Sequence, residues 1–179
     1  MAASEYTKQA IISSTKKLAS EKPFQKISVI EIADRCSINR NTFYYYFADK
    51  YDVLQTIFEQ EVLPVLETPA CRENLADSVI ALCAHMKQEQ SFYARILREA
   101  SARSFRELLV QYYKNLLIQK ASSHFDTFKM ESRDREIAAR FYAHGTVGMI
   151  CDWAAGDMRM DSAFAAHVIQ IASREKFFL

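Results

Sequence analysis

The 179-residue chain is half hydrophobic and one quarter charged, enough apolar side chain for a sizeable core and too much for a disordered chain. Its three glycines, Gly145, Gly148 and Gly156, all fall late, which excludes a glycine-rich phosphate loop or dinucleotide fingerprint in the first two thirds. The formal net charge of +1 decides nothing about partners by itself.

Low glycine and proline with abundant Leu, Ala, Glu, Lys and Arg favours an all-α fold. The four cysteines, Cys36, Cys71, Cys83 and Cys151, are scattered without a C-x-x-C pair, which reads as a reduced, intracellular protein. No apolar leader and no apolar run of membrane-spanning length is present, so the expected location is cytoplasmic, with no membrane partner. His85, His124, His144 and His167 form no metal set: Cys83 and His85 sit two apart on a helix and face opposite sides. No metal or cofactor is expected, and with no nucleophile elbow or ligand cluster the chain does not read as an enzyme.

In chain order, Tyr6, Ala10, Ile11, Ser14 and Leu18 recur at helical steps from Ser4 to about Ser20. Pro23 closes that helix, and Lys22 to Ile27 connects it to Ser28. Ser28 with Glu31 fits an S-x-x-E capping box, so a second helix starts there. Ser37-Ile38-Asn39 supplies a turn, and Asn39 caps a third, very short helix. In it Phe43, Tyr46 and Phe47 make one buried stripe, while Arg40, Asn41, Tyr44 and Tyr45 share the opposite side. A helix this short is not stable alone in water. Two helices joined by a tight turn, the second polar and aromatic, form the helix-turn-helix arrangement that enters the DNA major groove. Arg can fork onto guanine, Asn onto adenine, and Thr and Tyr hydroxyls onto phosphates.

Asp49 with Asp52 caps a fourth helix carrying Val53, Leu54, Ile57, Phe58, Val62 and Val65, kinked or broken near Pro64. Lys50, in its first turn, sits where the helix dipole favours a phosphate. The charge up to Lys50 is basic and the remainder slightly acidic, as a phosphate-binding head requires. Thr68-Pro69-Ala70 marks a boundary. Beyond it Asn74 opens a helix with Leu75, Val79, Leu82, Cys83 and Met86. Phe92 to Leu97 follow the polar stretch Lys87 to Gln90, and Ser104 with Glu107 fits a second capping box before a long amphipathic helix. Arg135 to about Ala155 forms a helix with two internal glycines, each costing about 1 kcal/mol relative to alanine. Close approach of another helix is the common compensation, and Gly156 stands as C-cap. Asp161 caps a last helix with Phe164, Val168, Ile171 and Ala172 on one stripe.

Ile32-Ala33, the run Cys36 to Phe47, and Asp49-Lys50 together resemble the DNA-binding head of TetR-type transcriptional regulators. In that family a Thr-Leu/Phe-Tyr-x-Tyr/His-Phe run precedes a lysine that opens the fourth helix. The turn position usually held by glycine is Ser37 here, and Ile30 stands where a polar or basic residue is common. The resemblance implies an all-α homodimer that binds a palindromic double-stranded DNA operator and is released by a small-molecule effector of unknown identity. It implies about nine helices: a head over 1–50, a connecting helix over 51–68, and a ligand-binding and dimerisation body over 69–179. Expected DNA contacts are Ser28, Asn39, Arg40, Asn41, Thr42, Tyr44, Tyr45 and Lys50. Expected pocket residues are Met86, Phe92, Tyr93, Tyr112, Tyr113 and Met149. The F-Y-A-x-G-x-x-G-x-x-x-x-W pattern is similar to the body of one subgroup. That places the dimer contact on Phe141, Gly145, Gly148, Asp152, Phe164, Val168 and Ile171. The competing class is a helical protein-binding adaptor on the same fold that has lost direct DNA binding.

Overall fold

The computed structural model describes residues 2–124, 131–156 and 158–159, and among them every regular element is helical. α1 (Ala2–Glu21) is followed by a single 3₁₀ turn (Phe24–Lys26), then α2 (Val29–Arg35) and α3 (Arg40–Tyr46). α4 (Lys50–Ile57) runs through a wide π turn (Phe58–Val62) into α5 (Leu63–Leu66). α6 (Pro69–Glu73), α7 (Leu75–Gln88), α8 (Gln90–Arg98), a 3₁₀ turn (Ala100–Ala102), α9 (Arg103–His124) and α10 (Ser132–Ala155) complete the described chain. The stripe predicted on a last helix, Phe164, Val168 and Ile171, lies outside the described residues.

The starts of α2, α3 and α4 follow the capping chemistry in the sequence. Ser28 accepts from the Glu31 N–H while the Glu31 carboxylate takes the Ser28 N–H, so the capping box closes. Asn39 accepts from Thr42 N–H at 2.7 Å, and Asp49 accepts from both Tyr51 and Asp52. Between α2 and α3, Ser37 holds φ at 55°. A side chain there stands in the left-handed region that favours glycine, so the missing glycine leaves a real strain.

Pro64 acts one turn earlier than a simple kink. Its ring displaces the carbonyl four residues before it, and it has no N–H to give. The helix answers by widening: the Leu63 N–H bonds to the Phe58 carbonyl, a five-residue step. One other sequence expectation is corrected. Ser104 does not cap α9, which begins at Arg103, and Glu107 pairs with Arg103 at 2.7 Å instead of reaching back to the serine. Gly156 is the C-cap of α10, as the sequence indicates, at φ −81°, and the left-handed residue is Met158 at φ 54°.

One apolar cluster runs unbroken from Ile11 and Phe24 in α1 and its turn, through Phe43, Phe47, Leu54 and Val62, to Leu82, Tyr93, Phe105, Val147 and Trp153. α1 packs along α8, α4 against α9, and α10 against α8 and α9. The expected boundary near Thr68 therefore divides the chain along its sequence without dividing its core.

Candidate nucleic-acid interface

α3 is seven residues long and owes its position to Phe43 and Phe47, which are fully buried. Each contributes about 1.5–3 kcal/mol of apolar burial. Tyr46, expected on the same stripe, is half-buried and stacks edge-on against Tyr45. The opposite side is open: Arg40, Asn41, Tyr44 and Tyr45 are all exposed, Tyr45 to 80%. The Arg40 guanidinium lies 5.2 Å from the Tyr44 ring centre and donates to its hydroxyl at 3.2 Å. These two contacts hold the exposed guanidinium against the Tyr44 ring, and Arg is the side chain that can recognise a guanine edge bidentately.

The other sequence-predicted contacts are more committed. Asn39 spends its side-chain carbonyl on the Thr42 N–H and, at 3.1 Å, on the Thr42 hydroxyl, so Thr42 has given its proton inward. Ser28 likewise donates its hydroxyl to Glu31 at 3.0 Å. The Glu31 carboxyl is held down to about 2, first by the Lys22 ammonium and then by the Ser28 backbone and hydroxyl.

Lys50 departs furthest from its expected role. Its ammonium donates to the carbonyls of Phe24, Gln25 and Ile27 at 2.9, 3.0 and 2.8 Å, which uses all three of its protons. It also sits 5.0 Å from the Phe24 ring centre. Burial pushes its pKa down, opposed by Glu99, Asp49 and Glu31. Lys50 thus clasps the connection between α1 and α2. The first amides of α4 are already satisfied by the Asp49 carboxylate, so the anion site foreseen at that helix start is filled by the chain itself.

In the body, Met86, Phe92, Tyr93 and Tyr113 are fully buried, and Met149 is half-buried against the same core. None of these five lines the three surface clefts described here. Tyr112 does: its hydroxyl donates to the Leu66 carbonyl at 2.5 Å, and its ring borders a cleft of about 300 Å³ between the π turn, α5, α6 and α9. Phe58, Leu63, Leu108 and Leu116 give that cleft apolar walls, and Arg72, Gln111, Asn115 and Gln119 give it polar ones. The sequence reading missed these residues, since apolar positions at helical spacing carry no mark separating a cleft wall from core. Among the described residues no group of His, Cys, Asp and Glu is placed to hold a metal, and no helix is long and apolar enough to cross a membrane.

On α10 the exposed face runs Ile137, Phe141, Gly145, Gly148, Asp152, with Ile137 and Phe141 exposed to 58% and 59%. Among the described residues, a Cβ added at Gly145 or Gly148 would meet nothing within 4 Å. No close helix approach among those residues therefore explains the two glycines.

Residues 11–57 match the family described as "Bacterial regulatory proteins, tetR family", and residues 73–174 match that described as "Transcriptional regulator C-terminal region". The chain belongs to the TetR family of DNA-binding transcriptional regulators. The TetR-family head covers the helix-turn-helix, and the second match covers the body from the end of α6 through α10 into residues beyond it. A curated relative, the HTH-type dhaKLM operon transcriptional activator DhaS of Lactococcus lactis, is 26% identical over 111 residues, 62% of this chain and 58% of that protein. The alignment thus covers less than two thirds of that relative's length.

Solved structures share the fold. A TetR-family regulator from Syntrophomonas wolfei superposes with a TM-score of 0.72 at 15% identity, over 98% of each chain. NalD of Pseudomonas aeruginosa, the secondary repressor of the MexAB-OprM multidrug efflux pump, gives 0.68 at 18%, over 94% of this chain and 95% of that one. The dihydroxyacetone kinase operon activator DhaS gives 0.64 at 18%, over 93% of each.

Proposed function

We propose that this regulator is a homodimer that binds a palindromic operator through two copies of α3 and represses transcription until a small effector releases it. The observation carrying this reading is the division of α3: Phe43 and Phe47 buried beneath it, Arg40, Asn41, Tyr44 and Tyr45 presented together above it. Arg40 and Asn41 are assigned to base edges, and Tyr44 and Tyr45 to the sugar-phosphate backbone or its flank. Ser28, Asn39 and Thr42 shape the approach as caps, with lone pairs or the Asn39 amide left to contribute.

The exposed α10 face supports a partner helix at Gly145 and Gly148, flanked by Phe141 and Asp152. A stripe of small residues lets two backbones come close, and the cost of two helix glycines is then offset across the dimer. In this division residues 1–50 read DNA, 51–68 connect, and 69–179 bind effector and partner. The effector is assigned to the cleft walled by Phe58, Leu63, Leu108, Tyr112 and Leu116. It is an amphipathic molecule at the small end of ordinary ligand pockets. Its presence would favour a body geometry in which the two heads no longer match successive major grooves.

A gel-shift against the promoter region beside the protein's own gene tests the reading, paired with a reporter driven by that promoter. A specific shift with raised expression on deletion supports a repressor, and a shift with lowered expression makes it an activator, as the name of the Lactococcus relative states for that protein. No shift with any fragment, together with capture of a transcription protein by the α3 face, would establish the adaptor class instead.

A further inference from the structure

A polar cluster ties the DNA-reading head to the body. Lys16, on α1, is the one charged residue among those described that is buried, at 9% exposure. Its ammonium lies 2.5 Å from Glu61 Oε2 and 2.5 Å from Glu89 Oε1, and 5.7 Å from the Phe92 ring centre. Glu61 belongs to the π turn and Glu89 to the break between α7 and α8. One ammonium therefore joins α1, the connecting helix and a corner of the body.

The chain of contacts continues inward. Glu61 Oε2 also accepts from the Tyr93 hydroxyl at 3.3 Å, and Tyr93 lies 3.1 Å from His85 Nε2. Tyr93 has a single hydroxyl proton. If it is given to Glu61, the histidine must carry its own proton on Nε2 and donate it to the tyrosine oxygen. The run is thus His85 to Tyr93 to Glu61, met from the other side by Lys16. Tyr93 is fully buried, its ring 6.1 Å from Phe105, which in turn stacks 5.8 Å from Phe58 at the start of the π turn.

We propose that Lys16 is a positioning residue for operator binding: through Glu61 and Glu89 it registers the head on the body, with Tyr93 and His85 as the body's end of that register. The proposal rests on the operator-binding dimer reading above. The Lys16 side chain is 11% exposed against 26% for Glu61 and 47% for Glu89, so the ammonium is the most enclosed member of the cluster, and losing both carboxylates would leave it without a partner. The joint therefore fixes the head against two separate segments at once, and its loss would free the head's angle to the body on which head spacing depends. The π turn is the segment with room to change, since its widened hydrogen-bond step is already a departure from α geometry. Three other polar ties of α1 and its turn, Gln9 to Gln60 at 3.0 Å, Arg95 to the Ser20 carbonyl at 3.4 Å and the Phe24 N–H to Glu99 at 2.7 Å, each have at least one neutral partner. Their loss would not strand a pair of opposite charges.

The test uses a palindromic duplex selected by the wild-type protein from a random pool. It is compared with the same duplex carrying one or two inserted central base pairs and with a random duplex at low salt. Lys16→Met keeps the length of the side chain without its charge, and Tyr93→Phe removes only a hydroxyl. Lys16→Met is expected to bind the selected duplex at least about ten-fold more weakly and to lose most of the discrimination against the insertions, because the head-to-head distance is no longer fixed. Random-duplex affinity should stay within about two-fold, as Lys16 contacts no phosphate. Tyr93→Phe should move discrimination the same way by a smaller factor.

Folded, dimeric variants that reject the insertions as strongly as wild type would overturn the proposal. A lowered melting temperature with discrimination intact would do so too, since it would show a merely structural role. If Lys16→Met does not fold, Tyr93→Phe decides. If the wild-type protein selects no sequence at all, the operator reading itself fails and this proposal with it.

Discussion

Among the described residues the outward faces of α3 and α10 are both left uncovered, and they differ in chemistry. α3 presents a guanidinium, an amide and two phenols above two buried phenylalanines. α10 presents Ile137, Phe141 and two glycines, with Arg140, His144 and Asp152 beside them. A surface rich in directed donors and flat rings suits base edges and phosphates. A surface with exposed apolar side chains and two glycines at its centre suits another helix. Exposure alone does not assign a partner; the polarity and bulk of what is exposed do.

The largest effect should come from filling the smooth face. Gly148→Leu meets no atom of the described residues within 4 Å of its Cβ and should raise helix propensity by about 1 kcal/mol, so the isolated chain is expected to fold. Dimer dissociation is nevertheless expected to increase by about 100-fold or more, as about 3 kcal/mol of packing is lost; sedimentation equilibrium reads it directly. Unchanged self-association would remove α10 from the interface. Next is Arg40→Ala on the polar face, which should reduce operator preference by about 1–3 kcal/mol while leaving folding intact. Binding competition between the selected and a random duplex measures that loss.

Two changes beneath the polar face sharpen the contrast, because they test the scaffold and not the surface. Lys50→Met removes three charge-assisted bonds to backbone carbonyls and should cost about 2 kcal/mol of stability. The salt dependence of DNA binding should then change little, because this ammonium faces inward; a slope reduced by one phosphate contact would return Lys50 to the interface. Ser37→Gly should relieve the φ of 55° and stabilise the chain by up to about 1 kcal/mol in chemical denaturation.

The smallest effect is acid sensitivity at the α2 cap. The folded Glu31 carboxyl sits at about 2, below its ordinary value of 4.5. Its contribution is thus complete above the unfolded value and lost as pH falls toward 2. Glu31→Gln should flatten stability against pH across that window, and an NMR titration of the Glu31 carboxyl should show the low value itself.

The head was legible because its signals are local. Ser28, Asn39 and Asp49 cap within three residues of themselves, and Phe43 and Phe47 differ from Tyr44 and Tyr45 by helical phase alone. What escaped the sequence depends on separation along the chain. Lys50 is matched to carbonyls 23 to 26 residues before it, and Lys16 to acids 45 and 73 residues after it. No periodicity announces such pairs. Pro64 did signal an irregularity, but whether a helix kinks or widens is settled by what packs around it. In the body, Met86, Phe92, Tyr93 and Tyr113 look the same in sequence whether they line a cavity or fill one, and here they are buried in the core.

Analytical ultracentrifugation of the protein with a fluorescent palindrome selected from a random pool tests the central claim most directly, because it reports stoichiometry and sequence preference together. Two protomers per duplex, with an affinity that falls by orders of magnitude on a scrambled duplex and is restored by no single half-site, is the predicted result. A monomer that sediments with every duplex alike, or with none, would contradict it.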